Sequence, residues 1–166
     1  DTRAQWEDSM EVLVKAMHDE VLEHDGPVWK IPPRQIVPQP MTKPYPPISV
    51  AASSVESHVN AGNMGIGVIA FENYFGFDYL QECIDAYRQA FNSADHSGVA
   101  APNNFDGLYV ATAYCHEDGE EAKRIARDVA LGYFEFILDL YVPLADNPSY
   151  QYLETIKKLV EHRGDL

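Results

Sequence analysis

The 166-residue sequence predicts an α/β fold built on a parallel sheet, either a small open sheet or part of a larger barrel. Short β-prone runs alternate with segments whose apolar residues recur at helical spacing. A strand, a short helix and a second strand follow one another within residues 47–71, which is the pattern of a βαβ unit. Three such strands are recognisable, whereas a closed barrel of this type needs eight.

The chain opens with a helix and a hairpin. Trp6, Met10, Leu13 and Met17 fall on one face of a helix. Because no capping segment precedes this helix, we expect a further N-terminal portion. Asp25-Gly26 lies between two β-prone runs and predicts a hairpin over residues 20–31. The proline-rich segment 32–47 then predicts an extended surface connection, with an SH3 ligand as the alternative.

The βαβ unit begins with a short buried strand over Pro47–Ala52. A helix follows from Val55 to Met64, and Gly65 is expected to end it because glycine adopts the left-handed conformation easily. The second strand covers Ile66–Phe71. Beyond it we predict a helix over about Phe77–Phe91, a strand over Gly107–Cys115, a helix starting at Glu117-Asp118 and a last helix over about Ser149–His162.

Composition disfavours some classes of binding partner and indicates the cellular location and the state of the cysteines. The net charge of −14 disfavours nucleic acid and anionic membranes. No long apolar run or secretory signal is visible, so we expect a cytoplasmic protein. Cys83 and Cys115 fit no zinc or redox spacing and lie in apolar surroundings, which predicts two buried, reduced thiols.

Three serines are the best candidates for a binding site. Ser53 and Ser54 follow a predicted strand at the start of a helix, and Ser57 lies one turn further on. A helix N-terminus at the carboxyl end of a parallel strand favours phosphate. Serines are also common helix caps, so both interpretations remain open on spacing alone.

No catalytic residue or metal site emerges from spacing. His116 ends a predicted strand, but it also precedes an acidic helix start, which favours a capping or surface role. The other histidines, His18, His24, His58, His96 and His162, show no metal-binding spacing.

The run from Trp29 to Ser57 resembles the luciferase-like flavin-dependent monooxygenases. It includes the phrase Lys43-Pro-Tyr-Pro-Pro-Ile-Ser-Val-Ala-Ala-Ser-Ser-Val-Glu-Ser57, and the opening helix and the hairpin match in the same order. The resemblance covers most of the chain and is strongest over residues 6–70. It implies a partial, half TIM-like (β/α) barrel with parallel strands and a β-hairpin insertion. Residues 1–166 would form a single domain, the C-terminal half of such a barrel.

The resemblance also implies a function. The family uses reduced FMN, supplied by a flavin reductase, or in some branches a deazaflavin, to insert one oxygen atom from O2 into a small organic substrate. Carried over by position, Ala52, Ser53, Ser54 and Ser57 hold the flavin phosphate, and Phe71 lines the flavin and substrate pocket. We expect a homo-oligomer or a complex with the missing barrel half. The alternative is a non-catalytic flavin-binding or structural subunit.

Overall fold

Two structural units divide the chain, Asp1–Tyr109 and Val110–Leu166. The computed structural model describes residues 2–70, 76–109 and 113–141. Within those ranges no helix is both long and apolar enough to cross a membrane. The described elements are α1 (Thr2–His18), β1 (Leu22–Asp25), β2 (Lys30–Arg34), β3 (Ser49–Ala52), α2 (Val55–Met64), β4 (Gly67–Ala70), α3 (Gly76–Ser93) and β5 (Asp106–Leu108) in the first unit, and α4 (Gly119–Tyr141) in the second.

The predicted opening helix and hairpin are both confirmed. β1 and β2 pair antiparallel, with His24 opposite Ile31 and Asp25 opposite Lys30. α1 packs against β1. Pro32 and Pro33 lie inside β2, where a strand paired on one side tolerates residues that lack an amide donor.

A three-stranded parallel sheet in the order β3–β4–β5 forms the centre of the first unit. β3 pairs with β4 in register from Ser49 opposite Gly67 to Ala52 opposite Ala70. α2 connects these two strands, which confirms the predicted βαβ unit and the α/β class. The arrangement is that of a partial barrel.

One face of this sheet is covered by helices. Ala52, Val68 and Ala70 are at most 2% exposed, and the core formed with Ala61 of α2 and Tyr87 of α3 lies on their side. Because side chains alternate along a strand, Ala51 and Ile69 point to the other face. Both are exposed, with Ile69 at 37%, so no described element of the first unit covers the inner face.

α2 begins and ends where the sequence predicts. Ser54 is its N-cap, and Gly65 is its C-cap with φ of 69°. The Gly65 and Ile66 amides donate to the Gly62 and Ala61 carbonyls and close the helix.

Two predictions for the sheet are wrong in detail. The strand predicted as buried over Pro47–Ala52 is β3, and only Ala52 is buried, because the inner face is uncovered. The strand predicted over Gly107–Cys115 is β5, Asp106–Leu108, where the described pairing lies opposite Val68–Ala70, and residues 113–115 are outside any strand. Residues 110–112 of that prediction lie outside the described residues.

The predicted burial of the cysteines holds for only one of them. Cys83 is buried in α3, but Cys115 is exposed because Ala113–Cys115 lies outside the sheet. α4 follows Asp118 as predicted, although Phe136 on its apolar stripe remains 65% exposed. The helix predicted over Ser149–His162 lies outside the described residues.

Candidate functional site

The turn between β3 and α2 lies at the carboxyl edge of the parallel sheet. The register aligns Ala52 with Ala70 and Ala70 with Leu108, the last residues of their strands. Ser53 and Ser54 therefore leave the sheet at the edge where parallel α/β folds bind their ligands. Ala52 is 2% exposed and anchors the turn in the core.

Ser54 and Ser57 form a reciprocal capping box at the start of α2. The Ser57 amide donates to Ser54 Oγ at 3.2 Å, and the Ser54 amide donates to Ser57 Oγ at 3.1 Å. Ser57 Oγ also donates its one proton to the Ser54 carbonyl oxygen at 2.8 Å. The capping interpretation is therefore confirmed. The Ser54 hydroxyl keeps a proton that it can direct to Ser57 Oγ, 3.1 Å away, or to a ligand.

Further donors surround this cap. The amides of Val55 and Glu56 have no hydrogen-bond partner among the described residues. Amides at this position carry the positive end of the helix dipole. Ser53 is exposed and adds a second hydroxyl beside them. Two amides and two hydroxyls at one helix end make a suitable site for an anion.

A cleft of about 460 Å³ opens beside the turn and is lined by Ser54 and Ser57 together with Arg3 and Glu7 from α1 and Glu56 from α2. Arg3 Nε donates to Glu7 Oε1 at 3.2 Å, and Arg3 Nη1 donates to Glu56. These bonds, first to Glu7 and then to Glu56, raise the pKa of Arg3. Arg3 is 53 residues from Glu56 in sequence, so no local pattern predicts its place here.

A buried histidine lies directly behind the same turn. His58 is fully buried, and its Nδ1 lies 2.8 Å from the Ser54 carbonyl oxygen. Because a carbonyl only accepts, Nδ1 carries the proton. Burial lowers the pKa of His58, and the bond to Ser54 opposes that shift only in part. The ring is therefore neutral near pH 7.

A second polar cluster joins α1 to the hairpin, and no spacing in the sequence predicts it. Asp8, Glu11 and His24 bring ligand-type atoms within 4.8 Å of one another, a composition that suits a metal ion. However, Lys15 Nζ lies 2.7 Å from Glu11 Oε1 and 3.3 Å from His24 Nδ1. A lysine ammonium thus already contacts two of the three groups that a metal ion would need.

The rest of this cluster holds the hairpin loop. His24 Nε2 donates to Asp8 Oδ1 at 2.8 Å, and both side chains are 2% exposed. The amides of Val28 and Trp29 donate to Asp8 Oδ2 at 3.0 and 2.7 Å. Gly26 is required here because a Cβ on it would lie 1.9 Å from Asp8 Oδ1. We refer to these residues, with Glu11 and Lys15, as the α1–hairpin cluster.

Two further candidates from the sequence are His116 and Phe71. His116 is exposed, which agrees with the predicted surface role, and its Nδ1 accepts from the Asp118 amide at 3.0 Å. The cap of α4 is Asp118, whose Oδ1 accepts from the Glu120 amide at 2.9 Å. Phe71, predicted to line the flavin pocket, lies outside the described residues, as do Glu72, Asn73 and Tyr74. Ala52, Ser53, Ser54 and Ser57 are thus the predicted site residues that the structure brings together.

The chain is similar to solved structures of other proteins and to a curated protein. Monooxygenase RslO1 from Streptomyces bottropensis superposes with a TM-score of 0.63 at 23% identity, over 77% of this chain and 38% of that one. The oxygenase component of flavin-dependent trigonelline monooxygenase from Acinetobacter baylyi is 32% identical over 68 residues, which is 41% of this chain and 19% of that protein. The chain therefore matches well under half the length of either protein.

The family comparison spans almost the whole chain. The model of the luciferase-like monooxygenase family matches residues 1–163. This match agrees with the parallel sheet, the βαβ unit and the structural similarity described above. The chain therefore belongs to the luciferase-like monooxygenase family.

Proposed function

We propose that this chain forms part of a flavin-dependent monooxygenase and that the β3–α2 turn binds the phosphate of FMN. The observation that carries the proposal is the set of donors at the start of α2. The amides of Val55 and Glu56, with the hydroxyls of Ser53 and Ser54, lie together at the carboxyl edge of the sheet. An anion is the ligand that such a set prefers.

Two carboxylates and one guanidinium beside the turn affect how it would bind a phosphate. Glu56 and Glu7 line the same cleft and would repel an anion. Both carboxylates are bonded to Arg3, so their charge is partly neutralised. A bound phosphate would compete with Glu56 for the Arg3 guanidinium, which forms bidentate contacts with phosphate readily.

Each residue of the turn has a separate role in this proposal. Ser53 and Ser54 donate hydrogen bonds from their hydroxyls to the phosphate. The Ser57 hydroxyl keeps its hydrogen bond to the Ser54 carbonyl and so maintains the conformation of the turn. Ala52 fixes the turn to the core, and Phe71 remains a predicted pocket residue. The flavin supplies the oxygen chemistry, and the protein binds it, orients it and excludes water.

The partners follow from the relatives and from the exposed sheet. The Acinetobacter baylyi relative is named as an oxygenase component, which supports a separate reductase as the source of reduced FMN; a deazaflavin is the alternative cofactor.

β3 and β5 are edge strands of the described sheet, and its inner face is uncovered. We therefore propose a homo-oligomer or a complex with the rest of the barrel. Sedimentation as a lone 18.7 kDa monomer would count against it.

A non-catalytic flavin-binding subunit is the second candidate. It is favoured by the described sheet, which has three strands and an uncovered inner face and so does not enclose a substrate. An oxidation assay with O2, reduced FMN and a small organic substrate distinguishes the two candidate functions. A monooxygenase would oxidise the substrate, whereas a non-catalytic subunit would bind the flavin and leave the substrate unchanged.

The decisive experiment compares FMN with riboflavin, which lacks the phosphate. Ser53→Ala with Ser54→Ala should weaken FMN binding by about 1–3 kcal/mol because charge-assisted hydrogen bonds are lost. Riboflavin binding should change little. Fluorescence titration in phosphate-free buffer measures both. Ser93→Ala with Ser97→Ala, at and just beyond the C-terminal end of α3, serves as the matched control. Equal losses for the two ligands would refute the phosphate assignment.

A further inference from the structure

The Ser54 carbonyl oxygen at the head of α2 accepts an unusual number of hydrogen bonds. The His58 amide donates to it at 3.1 Å and Ser57 Oγ donates at 2.8 Å. His58 Nδ1 adds a third bond at 2.8 Å. A carbonyl oxygen has two lone pairs, so this one is fully used and its direction is fixed.

Fixing this carbonyl also fixes the amide that faces a ligand. The Ser54 carbonyl and the Val55 amide belong to one planar peptide unit and point in opposite directions. While the carbonyl is held by His58 and Ser57 on the inner side, the Val55 N–H is directed away from the helix. Hydrogen bonds to the carbonyl also polarise the peptide, which strengthens the Val55 N–H as a donor.

The other ring nitrogen of His58 shows that packing alone does not explain this residue. Nε2 is buried and has no hydrogen-bond partner among the described residues. A leucine would fill a similar volume without burying a bare acceptor, which carries a desolvation penalty. What the histidine offers in return is the Nδ1 bond to the Ser54 carbonyl.

We propose that His58 is a positioning residue for the phosphate: through its Nδ1–H bond to Ser54, it orients the Ser54–Val55 peptide so that the Val55 amide faces the anion. The inference rests on the proposed function, because it acts on the same turn. His58 does not touch the ligand in this scheme. It acts through a peptide whose two ends face opposite ways.

The test pairs two polar substitutions that differ in where they place a donor. In His58→Asn the side-chain amide takes the place of Nδ1 and can still donate to Ser54, whereas in His58→Gln the amide takes the place of Nε2 and cannot. We expect His58→Gln to weaken FMN binding about tenfold, as for one lost charge-assisted contact, and His58→Asn to stay close to the unmodified chain. Riboflavin binding should change less than about twofold in both.

His96 provides a matched control. Its Nε2 donates to the Phe91 carbonyl at 3.0 Å, and its Nδ1 is likewise buried without a partner among the described residues. It packs beside Gly65, at the opposite end of α2 from Ser54. His96→Asn removes a similar bond, so it should lower stability while leaving the ratio of FMN to riboflavin affinity unchanged.

The outcomes separate this inference from the function on which it rests. If Ser53→Ala with Ser54→Ala weakens FMN binding selectively and His58→Gln does not, the role of His58 is overturned and the phosphate site stands. If neither change is selective for FMN, or the unmodified chain does not bind FMN, both fail. Equal effects of His58→Gln and His58→Asn, or a parallel loss of riboflavin binding, also overturn the positioning role.

Discussion

The α1–hairpin cluster and the β3–α2 turn are both polar sites where a helix meets a strand, yet they differ in how completely their atoms are partnered. Both Asp8 oxygens and both His24 nitrogens have partners within the fold. At the turn, the amides of Val55 and Glu56 have none among the described residues. A cluster that satisfies itself stabilises the fold, and one with donors left over is available for a ligand.

This difference explains why the more conspicuous cluster is not the proposed site. Asp8, Glu11 and His24 have the composition of a metal site. The ammonium of Lys15 already contacts two of these three groups, Glu11 and His24, and Asp8 is held by His24 and two backbone amides. The two serines of the turn are chemically plainer, but the helix end behind them supplies a positive potential and two amides without a protein partner among the described residues.

The largest expected effect comes from breaking the satisfied cluster. Asp8→Asn removes the charge that holds the His24 ring and the Val28 and Trp29 amides, and it places an amide group against His24 Nε2–H. We expect the melting temperature to fall by several degrees, while the ratio of FMN to riboflavin affinity stays unchanged. Thermal unfolding and flavin titration measure the two, and a selective loss of FMN binding would contradict the separation of the two regions.

Acid should reduce the difference in unfolding free energy between Asp8→Asn and the unmodified chain. Burial raises the pKa of Asp8, but the Trp29 amide, the His24 ring and the Val28 amide outweigh it and lower that pKa below its ordinary value of 3.8. The unfolded chain therefore takes up this proton first, and the stability from Asp8 is lost as the pH falls below 3.8 through the lowered folded pKa. Urea denaturation at a series of pH values measures this difference in unfolding free energy. A difference that stays constant over this range would show that ionised Asp8 does not stabilise the fold.

A smaller effect should follow from changing the capping partner in the turn. Ser57→Ala removes the acceptor for the Ser54 amide and one donor to the Ser54 carbonyl. Loss of such a cap costs about 1 kcal/mol of unfolding free energy, which urea denaturation can measure. FMN affinity should fall less than in Ser53→Ala with Ser54→Ala, because the Ser57 proton is already used inside the turn. A larger loss of FMN binding would make Ser57 a direct phosphate contact.

The parts of the fold that depend on local signals are predictable from the sequence. Both ends of α2 follow from Ser54 and Gly65, whose caps need only neighbouring residues. The βαβ unit follows from the alternation of strand and helix patterns. Burial is less predictable, since Cys115 and most of β3 have apolar surroundings in sequence but remain exposed. Burial depends on which elements cover a face, and periodicity does not reveal that.

The candidate site divides in the same way. The serine turn is visible in the sequence because its residues lie within one helical turn of each other. Arg3 and the Asp8–His24 pair are not, since their partners lie 53 and 16 residues away and meet only after folding. His58 fits no catalytic or metal-binding spacing in the sequence. Its proposed role depends on its burial and on its hydrogen bond to the Ser54 carbonyl, which only the structure shows.

Amide chemical shifts of the full chain test most directly whether the turn, and not the α1–hairpin cluster, binds the phosphate. Proton–nitrogen correlation spectra are recorded as FMN or riboflavin is added. FMN should shift the Val55 and Glu56 amide protons downfield, as expected for new bonds to an anion, while riboflavin leaves them nearly unchanged. The contradicting result is an FMN titration that shifts the Val28 and Trp29 amides instead, or that leaves Val55 and Glu56 where they were.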